Sequence, residues 1–200
     1  MSIKSIEERF HIARGDPSLV VVEGFHPLKH AVRFDAKFIE VVSPDALALQ
    51  RLQQEYAPDI SAQLDNIVVE IDPAIFERLA RVTPATGVMS IAERPTVDVD
   101  AMLNGADHSP VVFLEKPRNL FNIGAAVRSA SAAGAGGVLN TGDLDPWKPA
   151  ALTTGVGLQW SLPVAQVHKR RRTDRRLVAV DICGNSVESF DIAEKWVVAF

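Results

Sequence analysis

The chain has 200 residues, 47% of them hydrophobic and 23% charged, with 12 Gly and 12 Pro spread along it rather than clustered. This composition suits one large or two small globular domains and excludes disordered, repetitive and low-complexity classes. The net charge of −4 argues against binding nucleic acid through an overall basic surface, and the longest apolar runs, such as Leu19 to Val22, are far too short to cross a bilayer.

In chain order, Ser5-Ile6-Glu7-Glu8 has capping-box spacing, and Ile6, Phe10 and Ala13 recur at helical intervals until Gly15 and Pro17. Leu19 to Val22 predicts a buried strand, Gly24 to Phe34 a turn into a helix, and Phe38 to Val42 a second strand. Ser43 as cap and Pro44 at the first position predict a helix to Tyr56. Ile67 to Ile71 is a strand, Asp72-Pro73 starts a helix to about Arg81, and Val88 to Ala92 is a further strand. The alternation predicts a small α/β module of its own over residues 1–92. Residues 93–110, with Pro95, Gly105 and Pro110 around a short helix, read as a linker that needs no core.

From residue 111 to 200 the apolar runs become continuous. Val111 to Leu114, Val138-Leu139, Pro163 to Val167, Leu177 to Val180 and Trp196 to Phe200 are strands. Ile123 to Ala133 and Pro149 to about Gly157 are the helices among them. Such strands predict a mainly parallel sheet covered on both faces, whose ligands gather at the carboxyl ends of its strands. The single Cys183 has no partner for a disulfide or a zinc site and reads as a buried thiol at a strand end; no metal is expected. A charged helix pattern in place of a signal peptide and this cysteine usage predict a cytoplasmic protein without a membrane partner.

Charge is distributed unevenly. Residues 1–104 carry ten Lys/Arg against sixteen Asp/Glu, residues 105–200 eleven against nine. Six of those eleven fall within residues 168–176, among them Lys169, Arg170, Arg171 and Arg172. Such a run either neutralises phosphates or is a solvated face.

The segment 115–130 follows a strand and opens a helix. Gly124 permits close backbone approach there, and amides at a helix start can hold an anion. Asn122 is either the helix cap or a substrate contact, and Arg128 either an exposed arginine or a holder of phosphate or ribose.

Asn122-x-Gly124-Ala125-x-x-Arg128, preceded by Asn119 and followed by Ser129-x-Ser131-x-x-Gly134-Ala135-x-Gly137-Val138, resembles the first motif of the SpoU/TrmH RNA methyltransferases of the SPOUT superfamily. Gly157 with Leu162-Pro163-Val164 is similar to a later segment, although Thr153 stands where members commonly carry arginine. Val22-Glu23-Gly24 and Thr83 to Ile91 resemble the ribosomal-protein-like substrate-binding module of many members. The resemblance implies methyl transfer from S-adenosylmethionine to a ribose 2′-hydroxyl in tRNA or rRNA, and a homodimer. It implies Arg128 and Asn122 as catalytic residues, with Arg128 orienting ribose and phosphate because a guanidinium resists deprotonation. RNA contacts fall to Arg118, Asn119, Lys169, Arg170, Arg171 and Arg172. For the cofactor, the implied positions are Val180 and Asp181.

The family's later motifs, a Gly-x-Glu segment after the last strand and Pro-Met and Ser-Leu-Asn segments in a C-terminal trefoil knot, have no counterpart before Phe200. The expectation is therefore an incomplete methyltransferase domain with most of its cofactor site missing, inactive as it stands. The alternative is an RNA-binding module without catalysis. An unrelated nucleotide-binding α/β enzyme finds no Gly-x-Gly-x-x-Gly or phosphate-loop lysine motif in its support.

Overall fold

A computed structural model describes residues 5–169, 171–181, 183–186, 188 and 195–200. Two separate sheets organise the chain. The first has the order β1 (Leu19–Glu23), β4 (Met89–Glu93), β2 (Phe38–Ser43), β3 (Val68–Glu70), with β4 antiparallel to both neighbours and β2 parallel to β3. The second is wholly parallel, in the order β7 (Val164–Gln166), β6 (Gly137–Asn140), β5 (Val111–Leu114), β9 (Trp196–Ala199), β8 (Arg176–Ala179). The expected mainly parallel α/β domain is thus present after residue 110.

Because side chains alternate across a strand, β1 sends Val21 to one face and Val20 and Val22 to the other. Val21 meets Phe10 and Ala13 of α1 (Ile6–Gly15) and Phe76 of α5 (Pro73–Arg78). On the opposite face, Phe25, Leu28 and Val32 of α2 (Phe25–Arg33) and Leu49 of α3 (Ala46–Tyr56) close over Val20, Val22 and Val41. Leu64 of α4 (Ser61–Asp65), which follows a 3₁₀ turn at Pro58–Ile60, joins the same cluster.

That cluster continues without a break into the second half. Ile123 and Val127 of α7 (Leu120–Ala132), Ala151 and Leu152 of α8 (Pro149–Thr154), and Leu114, Val138 and Val164 of the parallel sheet belong to it. The boundary at residues 93–110 separates the sheets without separating their cores. Full burial of each such Leu or Phe contributes about 1.5 to 3 kcal/mol, so the shared core is a strong coupling between the halves.

Two glycines let the backbones come this close. A Cβ on Gly124 would lie 2.3 Å from Ala151 O, where α7 crosses α8. Gly157, at φ +77°, would meet Pro27 O of α2 at the same 2.3 Å. Polar contacts border the seam. Arg94 donates to both carboxylate oxygens of Asp145 (3.0 and 2.9 Å) and lies over the Trp147 ring. Trp147 Nε1 donates to Val164 O, and its ring meets Trp160 edge-on at 5.0 Å.

Several local expectations are corrected. α3 begins at Ala46, capped by Asp45 rather than Ser43, because Ser43 is still in β2, with its Oγ donating to Gly87 O. Residues 93–110 do contribute to a core: α6 (Val99–Asn104) buries Leu103 against Val111, Phe113 and Leu139. α7 begins three residues early, at Leu120, capped by Asn119, whose Oδ1 accepts from Phe121 N. Cys183 is exposed, its N–H donating to Asp181 Oδ1 in a turn.

Replacing Gly157 by Ala is expected to destabilise the protein by about 1 to 3 kcal/mol from backbone strain alone, and further from the collision with Pro27. Gly134→Ala is the control, because Gly134 shares a positive φ (+69°) but has nothing within 4 Å of its added Cβ. In urea denaturation Gly157→Ala should lose clearly more stability than Gly134→Ala; equal losses would show that close approach at Gly157 is unimportant.

Candidate active site

The segment between β5 and α7 is shaped by backbone hydrogen bonds from its neighbour. Thr141 N donates to Leu114 O, and Lys116 N donates to Thr141 Oγ1 at 3.0 Å, which turns the chain sharply at the carboxyl end of β5. Lys116 sits at φ +48°, an unfavourable region for a residue with a Cβ. Gly142, at φ +83°, lies against it: a Cβ there would be 3.2 Å from Lys116 Cα. Asn140, at the end of β6, is buried; its Nδ2 donates to Leu144 O, while its Oδ1 has no hydrogen-bond partner among the described residues.

These turns border a cleft of about 360 Å³ at the carboxyl ends of β5, β6 and β9. Phe113, Leu177 and Ala199 give it apolar walls; Glu115, Lys116, Thr141, His168 and Lys169 give it polar ones. A parallel sheet is expected to hold a ligand at this end. Val180 and Asp181 lie just beyond the end of the edge strand β8, beside β9, with Val180 N donating to Ala199 O. Neither lines the cleft.

Asn122 is in the first turn of α7 and exposed; since Asn119 is the cap, the capping reading of Asn122 falls away. Arg118 is exposed just ahead of that turn. Arg128 is exposed eight residues into α7, or about 12 Å along a helix with a 1.5 Å rise per residue, and no α7 residue lines the strand-end cleft. Its charge instead acts on His30 of α2. Burial, followed by the positive charges of Lys29, Arg33, His26 and Arg128, lowers the pKa of His30 below the ordinary 6.5. Asp59 is the counter-charge here; hydrogen bonds from Arg33 (2.7 Å each) hold its carboxyl at about 2.

The basic run divides by role. Lys169, Arg171 and Arg172 are exposed, and Arg170 lies outside the described residues. Arg175 is 4% exposed and donates to four backbone carbonyls, those of Met102, Leu103, Asp107 and Ser109. It caps the end of α6 and belongs to the fold. Its neighbours' exposure and its own burial are not separable in sequence, because both are arginines in one run.

Sequence reasoning also missed a second and larger cleft, of about 1170 Å³, between the two halves of the chain. Phe121 of α7, Pro149 and Val156 form one side, and residues of α1, α2 and the loop 79–86 the other. The available signal was Phe121 itself, a large apolar residue between Asn119 and Asn122 in a polar stretch.

Among the described residues, no helix is long and apolar enough to cross a membrane, and no group of three or more His, Cys, Asp or Glu side chains is placed to hold a metal ion.

Solved structures share this architecture over nearly the whole chain. The SpoU methyltransferase AviRb from Streptomyces viridochromogenes, solved with its cofactor AdoMet, superposes with a TM-score of 0.73 at 20% identity, covering 98% of this chain and 80% of its own. The chain has the SpoU methyltransferase fold. An rRNA methyltransferase from Sinorhizobium meliloti superposes on the same fold with a TM-score of 0.73 at 19% identity, covering 98% of this chain and 78% of its own. An RNA 2′-O ribose methyltransferase does so with a TM-score of 0.65 at 15% identity, covering 98% and 79%. No family model matches the sequence, and no curated protein does.

The placement of Arg128 against α2 has a titration consequence. A histidine whose folded pKa is depressed is protonated less readily in the folded chain than in the unfolded one, so His30 withdraws stability as pH falls below about 6.5. In NMR titrations, His30 should titrate below 6.5 in the parent protein and closer to 6.5 in Arg128→Ala. An unchanged His30 titration in the variant would show that the two side chains are not neighbours.

Proposed function

We propose that this protein transfers a methyl group from S-adenosylmethionine to a ribose 2′-hydroxyl of tRNA or rRNA. The observation that carries the reading is the coincidence of the Asn122-x-Gly124-Ala125-x-x-Arg128 pattern with the helix after β5 in a SpoU methyltransferase fold. AviRb, with that fold, binds AdoMet.

The strand-end cleft suits such a cofactor. Its apolar walls at Phe113, Leu177 and Ala199 fit a purine face, and Glu115 offers a carboxylate to a cationic ligand. Val180 and Asp181, just beyond β8 and outside the lining of the cleft, are the further candidates that the resemblance implies. Bound there, S-adenosylmethionine supplies an electrophilic methyl on a sulfonium. The chain's own contribution is to hold the 2′-oxygen at roughly 3 to 3.5 Å and in line with the bond to be broken. Arg128 suits orientation of ribose and phosphate, since guanidinium keeps its charge and offers a planar fork of donors. Asn119 caps the entry to α7, the exposed Asn122 in its first turn is a candidate substrate contact, and Arg118 extends the basic character of that loop.

Because α7 does not reach the strand-end cleft of its own chain, a homodimer that brings a second α7 to the cleft would complete the site. A cytoplasmic setting goes with an RNA substrate. The alternative, an RNA-binding module without catalysis, keeps the RNA contacts and lacks turnover.

Two measurements test the reading. Methyl incorporation into RNA should fall at least a hundredfold in Arg128→Ala while the fold is retained, as expected when a positioning contact is lost. Full activity in the variant removes Arg128 from the mechanism, and absence of incorporation in the parent favours the binding module. Separately, replacing Arg171 and Arg172 by Gln should weaken RNA binding and flatten its dependence on salt. An unchanged slope would make these two arginines a solvated face. Arg175 should not be used for this purpose, since its loss removes donors from four carbonyls.

A further inference from the structure

The large cleft between the halves carries chemistry that the methyl-transfer site does not use. It opens beside the first motif: Phe121, one residue before Asn122, lines it and is 57% exposed. An aromatic ring left in solvent at the edge of a concave, largely apolar surface is a docking platform rather than a core residue. Val156 lines the same cleft at φ +49°, a conformation that a β-branched residue adopts at a cost and that marks functional sites more often than chance places.

The charges around the cleft are not balanced. Its two carboxylates are engaged, Glu23 by Arg14 at 2.8 Å and Glu7 by Arg78 at 2.6 Å. Arg81 pairs with no carboxylate among the described residues, and the His11 imidazole is exposed at the rim, whereas that of His26 meets the Tyr56 ring edge-on. The cleft therefore offers one aromatic face, apolar walls and uncommitted donors. A partner that is flat and apolar in one part and anionic in the next fits this surface: an unpaired nucleotide. A duplex does not, because its bases are stacked inside and only its backbone and shallow groove are presented.

We propose that this cleft holds an unpaired RNA nucleotide flanking the one presented for methylation, with its base on the Phe121 ring and its phosphate on Arg81 and His11. The proposal rests on the RNA methyltransferase reading and deepens it, by assigning the substrate a single-stranded region next to the target and giving the N-terminal half a direct part in recognising it.

The test is fluorescence anisotropy of a labelled oligouridine, and of a duplex of equal length, over a range of salt concentrations. Phe121→Ala should weaken oligouridine binding about tenfold, in the range for loss of one stacked base, and Phe121→Trp should restore it. Arg81→Gln should reduce the salt slope by about 0.7, the contribution of one phosphate contact on a single strand. Neither variant should change duplex binding. Phe121 is exposed, so thermal melting should show both variants folded as the parent is. Parent-like oligouridine affinity in Phe121→Ala overturns the proposal and leaves the methyltransferase reading standing. No binding of any RNA by the parent overturns both. A dimer that dissociates on Phe121→Ala, with RNA affinity unchanged, gives the cleft to a second copy of the chain and likewise overturns the proposal.

Discussion

The structure depends on backbone approaching backbone without an intervening side chain. At Gly124 the distance from α7 to α8 leaves no room for a methyl group, and at Gly157 the chain after α8 meets the carbonyl of Pro27 with as little space. With these two contacts made, Ile123, Val127, Ala151 and Leu152 reach the same cluster as Phe25 and Leu28. The N-terminal half and the parallel sheet then share one core, so tilting one half relative to the other would open a void along the seam.

Electrostatics on this chain is a matter of which cations are committed. Arg94, Arg33 and Arg78 each close on a carboxylate, and Arg175 closes on carbonyls. Arg81, Arg171 and Arg172 are exposed without a carboxylate partner among the described residues, and Arg128 faces a positively charged α2. The last arrangement is unfavourable in the absence of an anion and favourable in its presence. Positive charge can thus stay uncommitted on the surface of an overall acidic protein.

Much of this was legible in the sequence. Continuous apolar runs such as Val111 to Leu114 and Val138-Leu139 identified the parallel sheet, since only strands buried on both faces tolerate them, and the Asn122 to Arg128 pattern identified the fold. Local starts were read less well. Ser43-Pro44 looks like a helix start, but Ser43 is held in β2 by a tertiary bond to Gly87 O that no neighbouring residue announces. The short α6 was visible, yet the burial of its Leu103 was not, because that depends on β5 and β6 packing over it. Arg175 could not be told from Arg171 for the same reason. Both clefts combine residues more than 80 positions apart, and exposure of Phe121 is a property of the seam, not of its neighbours in sequence.

The strand order of the second sheet bears on how the chain comes together during synthesis. β5 pairs with β6 after a connection of ordinary length, but its other edge is filled by β9, some 80 residues later, and β8 can join only through β9. As the polypeptide leaves the ribosome, the strands of the first sheet are all made well before β8 and β9 of the second. For that interval β5 presents an unpaired apolar edge, the kind of surface through which nascent chains associate with one another. The early, charged N-terminal half then serves as a folded partner against whose α2 the waiting helices α7 and α8 can already pack, shielding one face of the second sheet until β8 and β9 arrive.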